Sequence, residues 1–279
     1  MKIVFIGGVE IGLTVLESVY HGNDSVDTVF TLPHDSKASG YIDFEPITTK
    51  HQSNLIRTSK INDEIHINAI QKIAPDLIIV CGWQRLISQE ILDIPRLGTV
   101  GFHSSLLPKY RGRAPVNWAM IMGEKETGIT MFYLNSEADT GDIIAQESFH
   151  ILLDDDCHAV YKKSAKAGAN LIKSYLPLIA IEKGPRIHNP SKNFPAYPKR
   201  TPEDGLIDFN RSALDIYNFV RALTKPYPGA YFFDKNGQKI IVWKLSIIFD
   251  GIQIKDDTYR FKTQDLDVLI VEYEVRDRV

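Results

Sequence analysis

The densest run of reactive side chains lies at residues 101–118, where GFHSSLLPKYRGRAPVNW holds an imidazole, two hydroxyls, a phenol and three cations. It opens at the end of a strand-like segment, Thr99–Phe102, which is where open α/β sheets hold their ligands. Imidazole exchanges protons near neutral pH, so His103 suits a general base; a structural hydrogen-bonding role is the other reading. A second run, Ala138-Asp139-Thr140-Gly141-Asp142, follows another strand-like segment, Thr130–Leu134. Asp139 is there as a turn residue, or as a carboxylate that orients His103 and stabilises its charged form. A serine hydrolase built on His103 and Ser105 is disfavoured, because no GxSxG elbow exists to present the nucleophile. The histidines at 21, 34, 51, 66, 103, 150, 158 and 188 show no HExxH or paired spacing, and Cys81 and Cys157 form no CxxC. No metal site and no disulfide framework is expected. The turn Gly7-Gly8-Val9-Glu10-Ile11-Gly12 has Val9 where a dinucleotide fingerprint needs its second glycine, and reads as a plain βα turn.

These groups need a scaffold, and the pattern supplies one. Lys2–Ile6, Asp27–Leu32, Asp76–Cys81 and Thr99–Phe102 read as strands, the third apolar throughout as in a parallel strand buried on both faces. Between them Ile11–Leu16, Asp63–Ile73 and Gln89–Leu92 read as helices, followed by Arg113–Met122 and a long amphipathic helix over 155–183. Gly128–Tyr133 and Ile143–Glu147 alternate like antiparallel strands, and 34–64 reads as polar loop around Gly40-Tyr41 and Pro46. Alternating β and α elements predict an open, mostly parallel sheet with helices on both faces. Prolines 185, 190, 195, 198 and 202 mark a linker. Beyond it a helix over 212–223 and strands at Ala230–Phe233, Lys239–Lys244, Ile252–Ile254, Tyr259–Lys262 and Val268–Glu274 predict a small, mainly β domain. The expected division is 1–184, a linker at 185–202, and 203–279. With 44% hydrophobic and 24% charged residues, the chain has enough apolar surface for a core. No leader or membrane span is visible, so a cytoplasmic, reduced protein is expected. A net charge of −3 weighs against a partner held by phosphate contacts.

In sequence, His-x-Ser-Leu-Leu-Pro-Lys-Tyr-Arg-Gly-Arg-Ala-Pro-x-Asn-Trp over 103–118, Glu126-Thr127-Gly128-Ile129-Thr130 and Ala138–Asp142 resemble the folate-dependent formyltransferases. So do Arg200–Asp208 and the stretches Ile216–Asn218 and Arg221–Ala230. The likeness is greatest to the sugar-nucleotide N-formyltransferases and covers about two thirds of the chain, weakest over 34–70 and 235–279. It implies a Rossmann-like catalytic domain, a smaller OB-like β domain, a homodimer, and N10-formyltetrahydrofolate as co-substrate. It further implies a catalytic Asn, His and Asp. His103 and Asp139 match the last two, whereas the Asn position, two residues before the His, is Gly101. That departure removes an amide donor whose loss can cost ~10²–10³ in rate. Three outcomes stay open: activity with His103 or a water supplying the donor, slow activity, or a binding protein without catalysis. By the same resemblance Gly82, Trp83, Gln84, Arg85, Leu86 and Ala138 face the pterin, although Trp83 could equally be core. Lys109, Tyr110, Arg111, Arg113 and Asn117 are expected to meet the sugar nucleotide, with Arg offering a bidentate fork to its pyrophosphate. A solvated basic loop is the alternative, and Tyr41 is a candidate for stacking on a base or sugar.

Inside that family the rival is methionyl-tRNA formyltransferase, whose members resemble one another in a basic inserted loop after the second strand. Here residues 34–64 carry four cations (Lys37, Lys50, Arg57, Lys60) against five acidic groups (Asp35, Asp43, Glu45, Asp63, Glu64). Residues 201–279 hold eleven Lys or Arg against thirteen Asp or Glu. A tRNA acceptor arm calls for a positive excess, so the sequence favours a sugar nucleotide.

Overall fold

A computed structural model of the protein describes residues 1–22, 24–190, 194–249 and 259–276. Its elements run β1 (Lys2–Ile6), α1 (Glu10–Tyr20), β2 (Ser25–Thr31), α2 (Glu45–Lys50), β3 (Asn54–Arg57), α3 (Glu64–Ile73), β4 (Leu77–Val80), α4 (Gln89–Leu92) and β5 (Thr99–His103). They continue with α5 (Pro115–Ile121), β6 (Glu126–Tyr133), β7 (Ile143–His150), α6 (Cys157–Ala180), α7 (Ala213–Leu223), β8 (Ala230–Phe233), β9 (Lys239–Ile248), β10 (Arg260–Lys262) and β11 (Asp267–Arg276). Chain contacts divide into two units, one of residues 1–112, 127–149 and 161–196, the other of 113–126, 150–160 and 197–279.

The first unit is built on a seven-stranded sheet in the order β3-β2-β1-β4-β5-β6-β7. β1 pairs in parallel with both β2 and β4, and β4 with β5, while β6 runs antiparallel to β5. The order reverses between β1 and β4, the switch point at which doubly wound sheets open a crevice. Strand alternation explains the two covered faces. Ile3 and Phe5 of β1, with Leu77 and Ile79 of β4, pack against Val15, Leu16 and Val19 of α1 and Leu171 and Ile172 of α6. Val4, Ile6, Ile78 and Val80 face the other way, onto Ile67 and Ile70 of α3 and Ile91 and Leu92 of α4. A strand buried on both sides must be apolar at every position, which is why β1 and β4 were legible. This is the Rossmann-like, mostly parallel sheet predicted.

Two elements were missed. α2 and β3 lie in the stretch read as polar loop. Pro46 sits in the first turn of α2, where a missing N–H costs nothing, and β3 is an edge strand with no fully buried residue.

The other unit carries an antiparallel four-stranded sheet, β10-β11-β9-β8. α5 packs with α7, and α7 with β9. Phe209 stacks on Phe261 at 4.1 Å, with the Phe232 edge against both rings. The expected strand Ile252–Ile254 lies outside the described residues. Among the described residues no helix is long and apolar enough to cross a membrane.

At the start of β1, Asp76 accepts the Lys2 backbone N–H at 2.8 Å and Arg96 Nε at 2.9 Å. These donors, the backbone one first, hold its carboxyl below the ordinary 3.8. A carboxyl depressed on folding stabilises the fold above its unfolded value, and that contribution fades as pH falls through the lower folded value. Asp76→Asn therefore shifts acid unfolding to higher pH, by an amount worth at most ~1 kcal/mol for so accessible a pair. Circular dichroism during an acid titration measures it, and an unmoved midpoint would mean the contact contributes nothing.

Candidate active site

Three segments of the first unit meet at the end of β5. His103 is the last residue of that strand and is 8% exposed. Its register partner on β6 is Thr130, which organises the turn that follows. Thr130 Oγ1 donates to the Ser105 carbonyl at 2.6 Å and accepts the Leu107 N–H at 3.0 Å. Gln146 of β7 donates to both Thr130 Oγ1 and the Leu107 carbonyl at 2.8 Å. Ser105 is fully buried and spends its hydroxyl on the Lys109 carbonyl at 2.7 Å, so it is a turn residue, not a nucleophile.

The third segment is the β6–β7 connection, which carries Asp139. Its Oδ1 lies 3.5 Å from His103 Nδ1. Its Oδ2 accepts the Gly112 N–H at 2.8 Å. His103 Nε2 in turn faces the Tyr110 carbonyl at 2.8 Å. Tyr110 and Asp139 both take left-handed backbone, with φ of 55° and 57°. Such conformations cost energy in an L-residue and concentrate at functional sites. A neutral imidazole gives one N–H to one of its two acceptor neighbours; a doubly protonated ring satisfies both.

Gly101, at the position expected to lack a donor, lies on β5 between Val80 and Phe132. A Cβ built there would run into Leu134 Cδ2 and come within 3.0 Å of its Cγ. The space an asparagine would take is filled by an apolar side chain.

The remaining predicted residues separate by placement. Trp83, Gln84 and Arg85 line a cavity of about 400 Å³ together with Leu32, Pro33 and Lys37, at the C-terminal ends of β2 and β4. The Trp83 ring packs on the α3/α4 face of the sheet, and its indole N–H is buried with no partner among the described residues. Gly82 has a φ of 70°, and Leu86 is 62% exposed. Tyr41 pairs with Val9 of the first turn, and its hydroxyl is also buried without a partner among the described residues. Ala138 contributes its carbonyl to Arg111 Nη2 at 3.0 Å, and Arg111 Nη1 reaches the Phe194 carbonyl at 3.3 Å. Arg111 therefore ties backbone segments together where a pyrophosphate contact was expected. Lys109 is exposed. In the other unit Arg113 is exposed, whereas Asn117 is 1% exposed and gives its amide to the Ala222 carbonyl at 2.6 Å. That is a packing position rather than a ligand-facing one. Sequence reading missed Asn189, whose amide reaches the carbonyls of Asp139 and Gly141. It falls in the linker-like, proline-rich segment and carries no local signal.

The first turn is a plain one. A Cβ at Gly7 or at Gly12 would strike the Cys81 carbonyl, so both glycines serve a close approach of α1's entry to the end of β4. Cys81 and Cys157 are free and buried, with burial pushing the Cys157 thiol up to about 12.

A mostly buried His–Asp pair at the end of β5 and a cavity past β2 and β4, at the open end of a doubly wound sheet, narrow the choice of family. The formyl transferase model matches residues 1–176, and the model of the formyl transferase C-terminal domain matches 199–278. The chain belongs to the formyl transferase family.

Its relatives in that family divide in their chemistry. The bifunctional polymyxin resistance protein ArnA of Wigglesworthia glossinidia brevipalpis is 37% identical over 95% of this chain, which spans 40% of that protein's length. Methionyl-tRNA formyltransferase of Acetivibrio thermocellus is 35% identical over 89% of this chain and 80% of its own. Among solved structures, the sugar 3N-formyl transferase WlaRD, in the presence of dTDP and 5-N-formyl-THF, superposes with a TM-score of 0.72 at 16% identity, over 100% of this chain and 99% of that one. The N-formyltransferase of Helicobacter canadensis, in complex with folinic acid and dTDP-3-aminofucose, gives 0.71 at 18% identity over 97% and 98%. At such identities these two establish the fold.

Proposed function

We propose that this formyl transferase moves the formyl group of N10-formyltetrahydrofolate to the amine of an amino-deoxy sugar nucleotide. The observation that carries the reading is the His103–Asp139 pair, 3.5 Å apart and mostly buried, on the same sheet whose β2 and β4 ends carry the Trp83 cavity. Folate supplies an activated formyl carbon when bound. Trp83, Gln84 and Arg85 would hold its pterin, and the unpaired indole N–H of Trp83 offers a donor to a flat heterocycle that carries acceptors. The sugar amine must be neutral to attack. His103 takes the proton it sheds, exchanging the Tyr110 carbonyl for the amine at Nε2, while Asp139 holds Nδ1 and stabilises the charged ring; that proton passes to N10 as its bond to the formyl carbon breaks and tetrahydrofolate leaves. With Leu134 in place of an amide, the oxyanion donor is His103 itself or a water. Lys109, Arg113 and Tyr41 stay as contacts for the sugar nucleotide, and the OB-like second domain, the division at 184 and 203, the cytoplasmic setting and a homodimer belong to the same proposal.

A sugar nucleotide fits better than tRNA on charge. Arg57, one of the few cations between β2 and α3, donates to both Asp43 and Glu45 at 2.9 Å and is neutralised there. The tRNA relatives keep that second reading in view, and the filled space at Gly101 supports a third, binding without turnover. One assay separates them. The protein is incubated with N10-formyltetrahydrofolate and a panel of amino-deoxy sugar nucleotides, and products are weighed. A product heavier by one formyl group supports the proposal. Labelled Met-tRNA would favour the second reading, and folate binding with no product the third. Trp83→Phe keeps one aromatic ring but deletes the N–H with the five-membered ring that carries it, so the folate KM rises about five- to tenfold, as for one lost buried hydrogen bond, with kcat nearly unchanged. An unchanged KM would remove Trp83 from the folate contacts.

A further inference from the structure

We propose that Asn189 is a positioning residue for this reaction: its carboxamide holds the left-handed turn that aims the Asp139 carboxylate at His103. The inference rests on the formyl-transfer reading above. Asp139 has a φ of 57°, a conformation that an L-residue keeps only where its surroundings impose it. Asn189 Nδ2 donates to the Asp139 carbonyl at 3.0 Å and to the Gly141 carbonyl at 3.1 Å. Both neighbours are acceptors, so the chemistry itself fixes which end of the amide faces them. Asn189 is 2% exposed, and its Oδ1 has no partner among the described residues. A residue that served only to fill space would not leave a buried acceptor unmet; one whose two N–H groups are needed would.

The surrounding geometry delivers this amide accurately. Ile143 and Ile187 form an isolated antiparallel bridge, with reciprocal bonds of 2.8 and 2.9 Å, which lays 187–189 beside 141–143. Gly141 rests on the Tyr133 carbonyl, where a Cβ would collide, so the far end of the turn is fixed as well. Between those anchors the Asp139 side chain reaches the Gly112 N–H and His103. A carboxylate released from that turn is no longer held at His103, and a misplacement of about an ångström costs on the order of 10²-fold in rate.

The test uses the full chain as wild type, Asn189→Ala, Asn189→Ser, Asp139→Asn and the Asn189→Ala/Asp139→Asn double variant. In protein labelled with ¹⁵N-histidine, the His103 ring signals are assigned by their loss in His103→Gln. They are expected to move in Asn189→Ala toward their positions in Asp139→Asn, with the histidines other than the adjacent His188 unmoved. In formyl transfer kcat falls roughly ten- to hundredfold while the folate KM stays within about threefold. Asn189→Ser, with one donor left, falls between, and it decides the matter if the alanine variant does not fold. The double variant loses no more than Asp139→Asn alone, as required of a residue acting through Asp139. His103 signals left at wild-type positions in a folded Asn189 variant, or losses that multiply in the double variant, would overturn the role. If the wild type formylates no amino sugar, the functional reading fails on its own, and the ring signals still decide about Asn189.

Discussion

His103→Ala lowers kcat for formyl transfer by about 10²–10⁴, the range that a positioned general base contributes, with folding and folate affinity retained. The residue ends β5 and faces two acceptors, the Tyr110 carbonyl and the Asp139 carboxylate. Its removal should therefore cost chemistry more than stability. Asp139→Asn gives a smaller loss, about 10–10²-fold, because asparagine accepts left-handed backbone as readily as aspartate and its carbonyl can still take the Gly112 N–H. What it loses is the negative charge beside the ring. Steady-state rates and a folate titration on each variant decide the point. Full activity in either would remove that residue from the mechanism.

The second large effect lies at Gly101. Gly101→Asn alone forces its Cβ against Leu134, a half-buried side chain that can swing aside, so the cost falls at the low end of the ~1–3 kcal/mol of core overpacking. Combined with Leu134→Ala, the carboxamide gains room, stability partly returns, and kcat rises by tenfold or more toward the ~10²–10³ that one oxyanion donor supplies. Thermal denaturation and rate measurements on the two single variants and the double variant make the comparison. An unchanged kcat in a stable double variant would mean that another group already supplies the donor. The pairing of a glycine on β5 with a leucine just past β6 is the structural counterpart of the sequence departure.

Much of the scaffold could be read directly, and the reason is local. β4 is apolar at every position, and β1 from Ile3 onward, because both faces are covered, and α6 shows its amphipathic pattern over 24 residues. α2 and β3 could not be read, since a six-residue helix and a four-residue edge strand bury too little to leave a pattern. The site divides in the same way. His103 and Asp139 stand in recognisable runs, at the end of β5 and in the β6–β7 connection, so their types and order marked them as candidates. Asn189 acts on Asp139 from 50 positions away, and Leu134 fills the space at Gly101 across a strand pair; contacts at such separations leave no trace in spacing. Arg111 and Asn117 show a related limit of spacing. Guanidinium and carboxamide groups that suit a ligand serve backbone carbonyls equally well, and only coordinates distinguish the two uses.

The seam at Gly7 and Gly12 has a consequence for inhibitor selectivity. Between those two glycines Val9 stands where NAD-like and FAD-like molecules would need bare main chain for their pyrophosphate. Compounds that mimic a pterin should thus bind here without competition from the cell's abundant dinucleotides.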